Sequence, residues 1–375
     1  MNQAAPGRRP YCAVLVVPTG IGAAIGGYAG DALPVARAVA SVVDTLITHP
    51  NVMNGAQLYW PMANAHYVEG YGLDQFAAGR WGLRPVHRNR IGLVLDAAIE
   101  DDLRWRHLQA ADAARATLGL DLTDYIVTDA PLGVELRRAA SGATWGTIQR
   151  PDSLLRAAER AIAAGATAIA VVARFPEDTD AEALQVLQDY RQGQGVDPLA
   201  GAEAVISHLV VRQLRVPCAH APALSPLPLD SSISPKSAAE ELGYTFLPCV
   251  LAGLSRAPQF VVGPSLDLFG GSSGATLWAD QVDAIVVPAS ACGGSALLSL
   301  GRRSLAIAVD ANPTALDVSP EALGMPAVRV ASYLEAIGLL AAHRAGVHPQ
   351  ALTAQMPQIN ELRAQVHPQA NPLGR

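Results

Sequence analysis

Short apolar runs alternate along the chain with longer segments whose polar residues recur at helical spacing. The runs at 11–17, 91–95, 124–128, 167–173, 214–218, 283–288 and 304–309 predict strands buried on both faces, several of them carried by β-branched Val and Ile. Helices are predicted at 34–48, 101–118, 152–164, 179–191, 199–213, 236–256 and 294–301, with two more at 331–345 and 348–365. Buried strands alternating with helices predict an α/β fold, a mostly parallel sheet flanked by helices in three layers, with two similar-sized lobes. In segment 34–48, Pro34 suits a first helical turn, and Arg37, Ser41, Asp44 and Thr48 make one narrow polar stripe, so this helix reads as mostly buried.

Two stretches break the alternation. Residues 221–235 carry four prolines and four serines, and residues 263–276 are rich in Gly and Ser. Both exceed the usual connection of about 4–6 residues and read as linkers or lids. A polar stretch from Tyr190 to Asp197 places a boundary near Pro198, giving a 1–198 lobe with a glycine-rich loop and a 199–375 lobe ending in helices.

Composition narrows the classes. Only 16% of the 375 residues are charged while half are hydrophobic, the reverse of a disordered chain. The net charge is -6, and Lys236 is the single lysine among 27 basic residues, with no basic run to track a phosphate backbone. No nucleic-acid partner is expected. Four scattered cysteines, Cys12, Cys218, Cys249 and Cys292, make no Cys-x-x-Cys pair and point to a reducing cytoplasm. The 21 uncharged residues Pro10 to Gly30 could pass for an export or membrane signal, but the continuous apolar run is only Tyr11 to Val17. That is too short to span a bilayer as a helix, so a buried first strand and no membrane partner are expected.

In an open parallel sheet, ligands bind outside the carboxyl ends of the strands. The groups that follow the predicted strands are Thr19 with a glycine loop, Asp96, Asp129, Arg174, His220, Ser290 with Cys292, and Asp310 with Asn312. The loop holds Gly20, Gly22, Gly26, Gly27 and Asp31, and glycine N–H groups there could cradle an anion. Its spacing departs from G-x-G-x-x-G and the helix starts late, so dinucleotide binding is the weaker reading; tight backbone packing is the bland one. Cys292, with Ser290 and Ser295, opens a helix, where a thiol pKa falls, although a buried structural cysteine would look the same. His220 and Cys218 share a strand face compatible with a metal, without a second ligand pair, so no metal site is assigned. His49 and Asn51 follow the 34–48 helix in a turn, and His49 could simply cap it. Glu69 and Asp74 are expected together in a loop, and Lys236 at a solvated helix start.

The glycine loop, His49 to Val52, Tyr67 to Gly70, Thr128 to Gly133 and Ala219 to Pro222 together resemble a family of uncharacterised bacterial proteins common in cyanobacteria, over nearly the whole chain. The resemblance implies a single full-length soluble member and carries no activity, cofactor or catalytic residue.

These observations predict a cytoplasmic enzyme acting on a small anionic, phosphorylated or carboxylated metabolite. Cys292, His220, Asp129 and His49 are the catalytic candidates. Thr19, the four glycines, Asp31, Asn51, Glu69, Arg174, Ser290 and Ser295 are the binding candidates. A nucleotide- or NAD(P)-dependent enzyme and a non-catalytic binding or assembly protein are the alternatives. A cofactor is not specified, and a homo-oligomer is compatible.

Overall fold

The computed structural model describes residues 9–28, 30–177, 181–226, 229–238, 246–262 and 276–359. The chain begins with β1 (Cys12–Leu15), α1 (Leu33–Val42), β2 (Thr45–Thr48), the short α2 (Pro50–Met53) and α3 (Ala56–Tyr59), and β3 (Ala65–Tyr67). Next come α4 (Gly70–Ala77), β4 (Trp81–Arg84), β5 (Arg90–Leu95), α5 (Asp101–Leu118), β6 (Asp121–Leu122) and β7 (Ile126–Val127). The hairpin β8 (Val134–Arg138) and β9 (Thr144–Ile148) precedes α6 (Pro151–Ala163), β10 (Ala168–Arg174), α7 (Ala181–Arg191), α8 (Ala200–Leu214) and β11 (Cys218–Ala223). The described elements end with α9 (Phe246–Leu254), β12 (Gln259–Val262), β13 (Val282–Pro288), α10 (Ser295–Leu300), β14 (Leu305–Val309), β15 (Val328–Val330) and α11 (Tyr333–Ala345).

The fold is α/β, with two parallel sheets. One is six-stranded in the order β15-β14-β13-β1-β2-β3; the other runs β11-β10-β5-β6, with β7 also on β5. Sheet one therefore takes three strands from each end of the chain, and everything from β5 to β11 is inserted between β3 and β13. The boundary expected near Pro198 separates neither sheet: β10 before it pairs with β11 after it, and β1 pairs with β13. The two passages between the sheets, β4 and β12, pair antiparallel with each other.

Strand burial explains the layering. In β1, Ala13 and Leu15 enter the core shared between the sheets, while Cys12 and Val14 enter the core on the other face. In β5 and β10, Ile91, Leu93, Ala168 and Ala170 join that same shared core, whereas Val94, Ile169 and Val171 face a third. Such strands read as continuous apolar runs because both of their faces are covered.

Several expected boundaries move. The 34–48 helix stops at Val42 and Thr45–Thr48 becomes β2, because Asp44 accepts the Tyr11 N–H and pairs with Arg344 and so turns the chain there. The expected strand 214–218 shifts to Cys218–Ala223, since α8 continues to Leu214 and closes on Arg215 in the left-handed region, φ 58°. β11 is an edge strand, where Pro222 is tolerated. Between 124 and 128 only Ile126–Val127 pairs as a strand. Within 236–256 the described helix is Phe246–Leu254, and 239–245 lie outside the described residues. Of 348–365, Pro349–Leu352 forms a 3-10 turn and residues beyond 359 lie outside the described residues, as does most of the 263–276 loop.

Candidate functional site

Sheet one reverses its winding between β1 and β13, and the crevice at such a reversal is where α/β sheets bind ligands. A cleft of about 900 Å³ lies here, lined by residues after β1, β2, β3 and β13 and, from the second sheet, by α8, β11 and the end of β10. It brings together six of the expected residues, Thr19, His49, Asn51, Glu69, His220 and Ser295. Most of the wall between them is apolar, including Leu73, Val250, Phe246 and Val287. This mixture of apolar walls and a few polar groups is typical of sites for organic ligands.

His49 is 6% exposed and precedes Pro50 at the start of α2, so it does not cap the end of a helix. Its Nε2 accepts the Val17 N–H at 3.0 Å, which places the ring proton on Nδ1. Burial pushes its pKa down to about 4, so the ring is neutral at neutral pH.

Glu69 and Asp74 are not in a loop. Glu69 is the N-cap of α4, where Oε2 accepts the Tyr71 and Gly72 N–H groups, and Asp74 lies inside the helix. Glu69 is 3% exposed and its Oε1 stands 2.5 Å from His208 Nδ1 on α8. Gly70 permits this approach, because a Cβ there would meet His208 Cε1 at 2.9 Å. Burial alone would lower the His208 pKa, but the Glu69 carboxylate outweighs it and the net shift is upward. Burial raises Asp74, whose carboxylate shares a hydrogen bond with Ser295.

A second set surrounds His220. Ser207 Oγ and His220 Nδ1 share a hydrogen bond at 3.0 Å, and Glu203 Oε2 lies 3.7 Å from His220 Nε2. Each imidazole on this side of the cleft thus has a carboxylate neighbour, the arrangement that general acid–base chemistry uses. Glu203, Ser207 and His208 were not singled out from sequence. Their signal was there: polar residues at i, i+4 and i+5 interrupt the otherwise apolar face of α8.

Other expected residues go elsewhere. Cys292 has no exposed surface, its Sγ faces the Pro288 and Ala289 carbonyls, and burial pushes the thiol up to about 11. The lowered pKa expected at a helix start is reversed, because desolvation of the thiolate outweighs the end of a six-residue helix. Ser290 bonds Thr314, and Asp129 is held well below the usual carboxylate range by Arg156 and Ser153 on the surface. Arg174 is occupied by Glu100 and Glu177.

The glycine segment is a strut. Gly20, at φ +75°, has no room for a Cβ, which would lie 2.9 Å from Thr144 Oγ1, and Gly22 is similarly closed by Val196. Four of its N–H groups are engaged: Ile25 with Asn312, Gly26 with Asp31, Ala24 with the Pro313 carbonyl and Gly30 with the Asn51 carbonyl. A Cβ on Gly27 would collide with the Ala23 carbonyl, and the Gly26 carbonyl accepts from Asn51. Asp31 and the Ala24 carbonyl hold Lys236, which is a clasp across this segment. Tight packing against neighbouring backbone and side chains accounts for Gly20, Gly22, Gly26 and Gly27.

Cys218 is buried with its Sγ toward the Ala219 carbonyl. Among the described residues no group of three or more His, Cys, Asp or Glu side chains is placed to hold a metal ion. No described helix is long and apolar enough to cross a membrane.

Comparison with known proteins finds no matching solved structure. An "uncharacterized lipoprotein" of the cyanobacterium Synechococcus sp. is 63% identical over 346 residues, covering 92% of this chain and 94% of that protein. The family model described as "Protein of unknown function (DUF3326)" matches residues 12–353. The fit across both sheets and the cleft between them means that the chain belongs to the DUF3326 family.

Proposed function

We propose that the protein is an enzyme that binds a small organic metabolite in the cleft between the two sheets and transfers protons there. The observation that carries this is the pairing of His208 with Glu69 and of His220 with Glu203 around one largely apolar cleft. Paired titratable groups in a concave apolar site are the usual equipment of acid–base catalysis. His220, with Ser207 and Glu203, is assigned the proton shuttle. His208 and Glu69 form the second acid–base pair. The buried thiol of Cys292 takes no part, and the glycine segment packs beside the cleft as a support.

Native mass spectrometry of the gently purified protein tests this reading, with Ala204→Trp as a variant that fills the cleft from α8. A small molecule retained by the wild type and lost from the variant is the expected result. The same retention in both would sink it.

We further propose that the protein works in the cytoplasm. The Synechococcus relative is called a lipoprotein. In this chain Cys12, the first cysteine, lies in an inner strand of sheet one, with its N–H bonded to Asp283 and its thiol in the core, pushed up to about 12 by burial. A cysteine so placed is a poor acceptor for a lipid, and the four free buried thiols suit a reducing compartment. Membrane and soluble fractions probed for the tagged protein check this; recovery in the membrane fraction with an acylated Cys12 would reverse it.

A further inference from the structure

The cleft wall contains three hydrogen-bonding groups that the acid–base pairs do not use; one, the Asn54 amide oxygen, is an acceptor, and the other two are donors. With Nε2 of His49 turned to Val17, the proton sits on Nδ1, and that nitrogen has no partner among the described residues. The ring lines the cleft while being 94% buried in its fold, so its N–H is left for whatever the cleft holds. The second donor is Tyr67, 3% exposed, whose hydroxyl also has no partner. Tyr67 stands beside Thr48 in the register of β2 and β3, so the two groups sit at neighbouring strand ends. Unmet buried donors are costly, and donors from neighbouring strand ends suit an acceptor with two lone pairs.

We propose that His49 and Tyr67 are donors to a carbonyl oxygen, so that the substrate is a ketone, ester or amide on an apolar skeleton; this rests on the reading of the cleft as a metabolite site. An ammonium offers these donors no lone pair. A carboxylate could accept from both, yet no Arg or Lys follows β2 or β3 among the cleft residues, and Glu69 lies two residues beyond Tyr67. The cleft arginines, Arg137 and Arg138, belong to the β8–β9 hairpin instead. Burial keeps His49 uncharged down to about pH 4, so it polarises an oxygen without giving up its proton. A neutral imidazole donor of this kind is a known way of activating a carbonyl.

Three matched probes test the assignment: carbonyl-labelled cyclohexanone, its oxygen-free isostere methylenecyclohexane, and cyclohexanecarboxylate. Binding is read by NMR from the labelled carbonyl and from the His49 ring nitrogens. The ketone should bind about tenfold tighter than the isostere, the worth of one or two modest hydrogen bonds. Its carbonyl signal should move downfield together with the His49 Nδ1–H. Tyr67→Phe should reduce the preference while leaving the His49 signals of the free protein in place, which keeps the test independent of whether His49→Leu folds. A ketone bound no tighter than the isostere, a carboxylate bound tightest, or unmoved His49 signals would overturn the inference. If none of the three binds and Ala204→Trp still expels a retained small molecule, the carbonyl assignment fails and the cleft reading survives. If Ala204→Trp expels nothing, both fail.

Discussion

His208 Nδ1 lies 2.5 Å from Glu69 Oε1, and through this contact a helix of the second sheet meets the strand end of the first. Glu69 has a second task, since its other oxygen caps α4. Glu69→Ala removes both and should destabilise the protein by about 1–3 kcal/mol, a cap together with an ion pair whose His208 half is partly screened by solvent. Glu69→Gln keeps an acceptor for the cap and should cost about half as much. Urea unfolding midpoints of the two variants check the order, and equal losses would contradict the double role.

The histidines make opposite contributions to pH dependence. The folded pKa of His208 is raised, so the stability it supplies is complete below its unfolded value near 6.5 and is lost as pH rises through the folded value. The gap between wild type and His208→Gln should narrow above neutrality. His49 is lowered to about 4, so as pH falls from about 6.5 to 4 the unfolded chain takes a proton that the folded chain refuses. That should withdraw about 3 kcal/mol over this window. Denaturation at pH 7 and 4.5, with His49→Gln as the comparison, should show the variant losing less.

All four cysteines are free and buried. A thiol-specific reagent at pH 7.5 should leave the native protein unmodified over minutes and label four residues once it is unfolded. Cys292→Ala should retain the bound small molecule, and its loss would return the thiol to the site.

The packing of α8 on the β8–β9 hairpin is sensitive at Gly201, where an added Cβ would collide with the Thr144 carbonyl. Backbone has no easy way to yield, so Gly201→Ala should cost about 2 kcal/mol or more. Gly294, with nothing within 4 Å of its Cβ, serves as the control and should tolerate alanine.

The long buried strands were legible because they are apolar on both faces: 11–17, 167–173, 283–288 and 304–309 all contain strands. β2 was hidden inside a helical pattern, because Val42, Val43 and Thr45 fit either period until Asp44 is fixed by Tyr11 and Arg344. The short β3, β4, β8, β9, β12 and β15 were missed altogether, since three to five residues give no period to read. His49, Glu69 and His220 were visible as polar groups at loop positions. Glu203, Ser207 and His208 were not, because a polar face on a helix means solvent unless its partner is known. Cys292 misled because a helix start predicts a reactive thiol only when water or a cation can reach it.

β1 is an inner strand of its sheet, yet one of its neighbours is encoded far away: the Cys12 N–H waits for Asp283, 271 residues later. At about 5–20 residues per second, a ribosome needs on the order of 15–50 s to supply it. During that interval the most apolar segment near the start of the chain has β2 on one side and an unpaired edge on the other. The nascent protein is therefore exposed to mispairing and to chaperone capture for most of its own synthesis, and β13 closes that window on emerging.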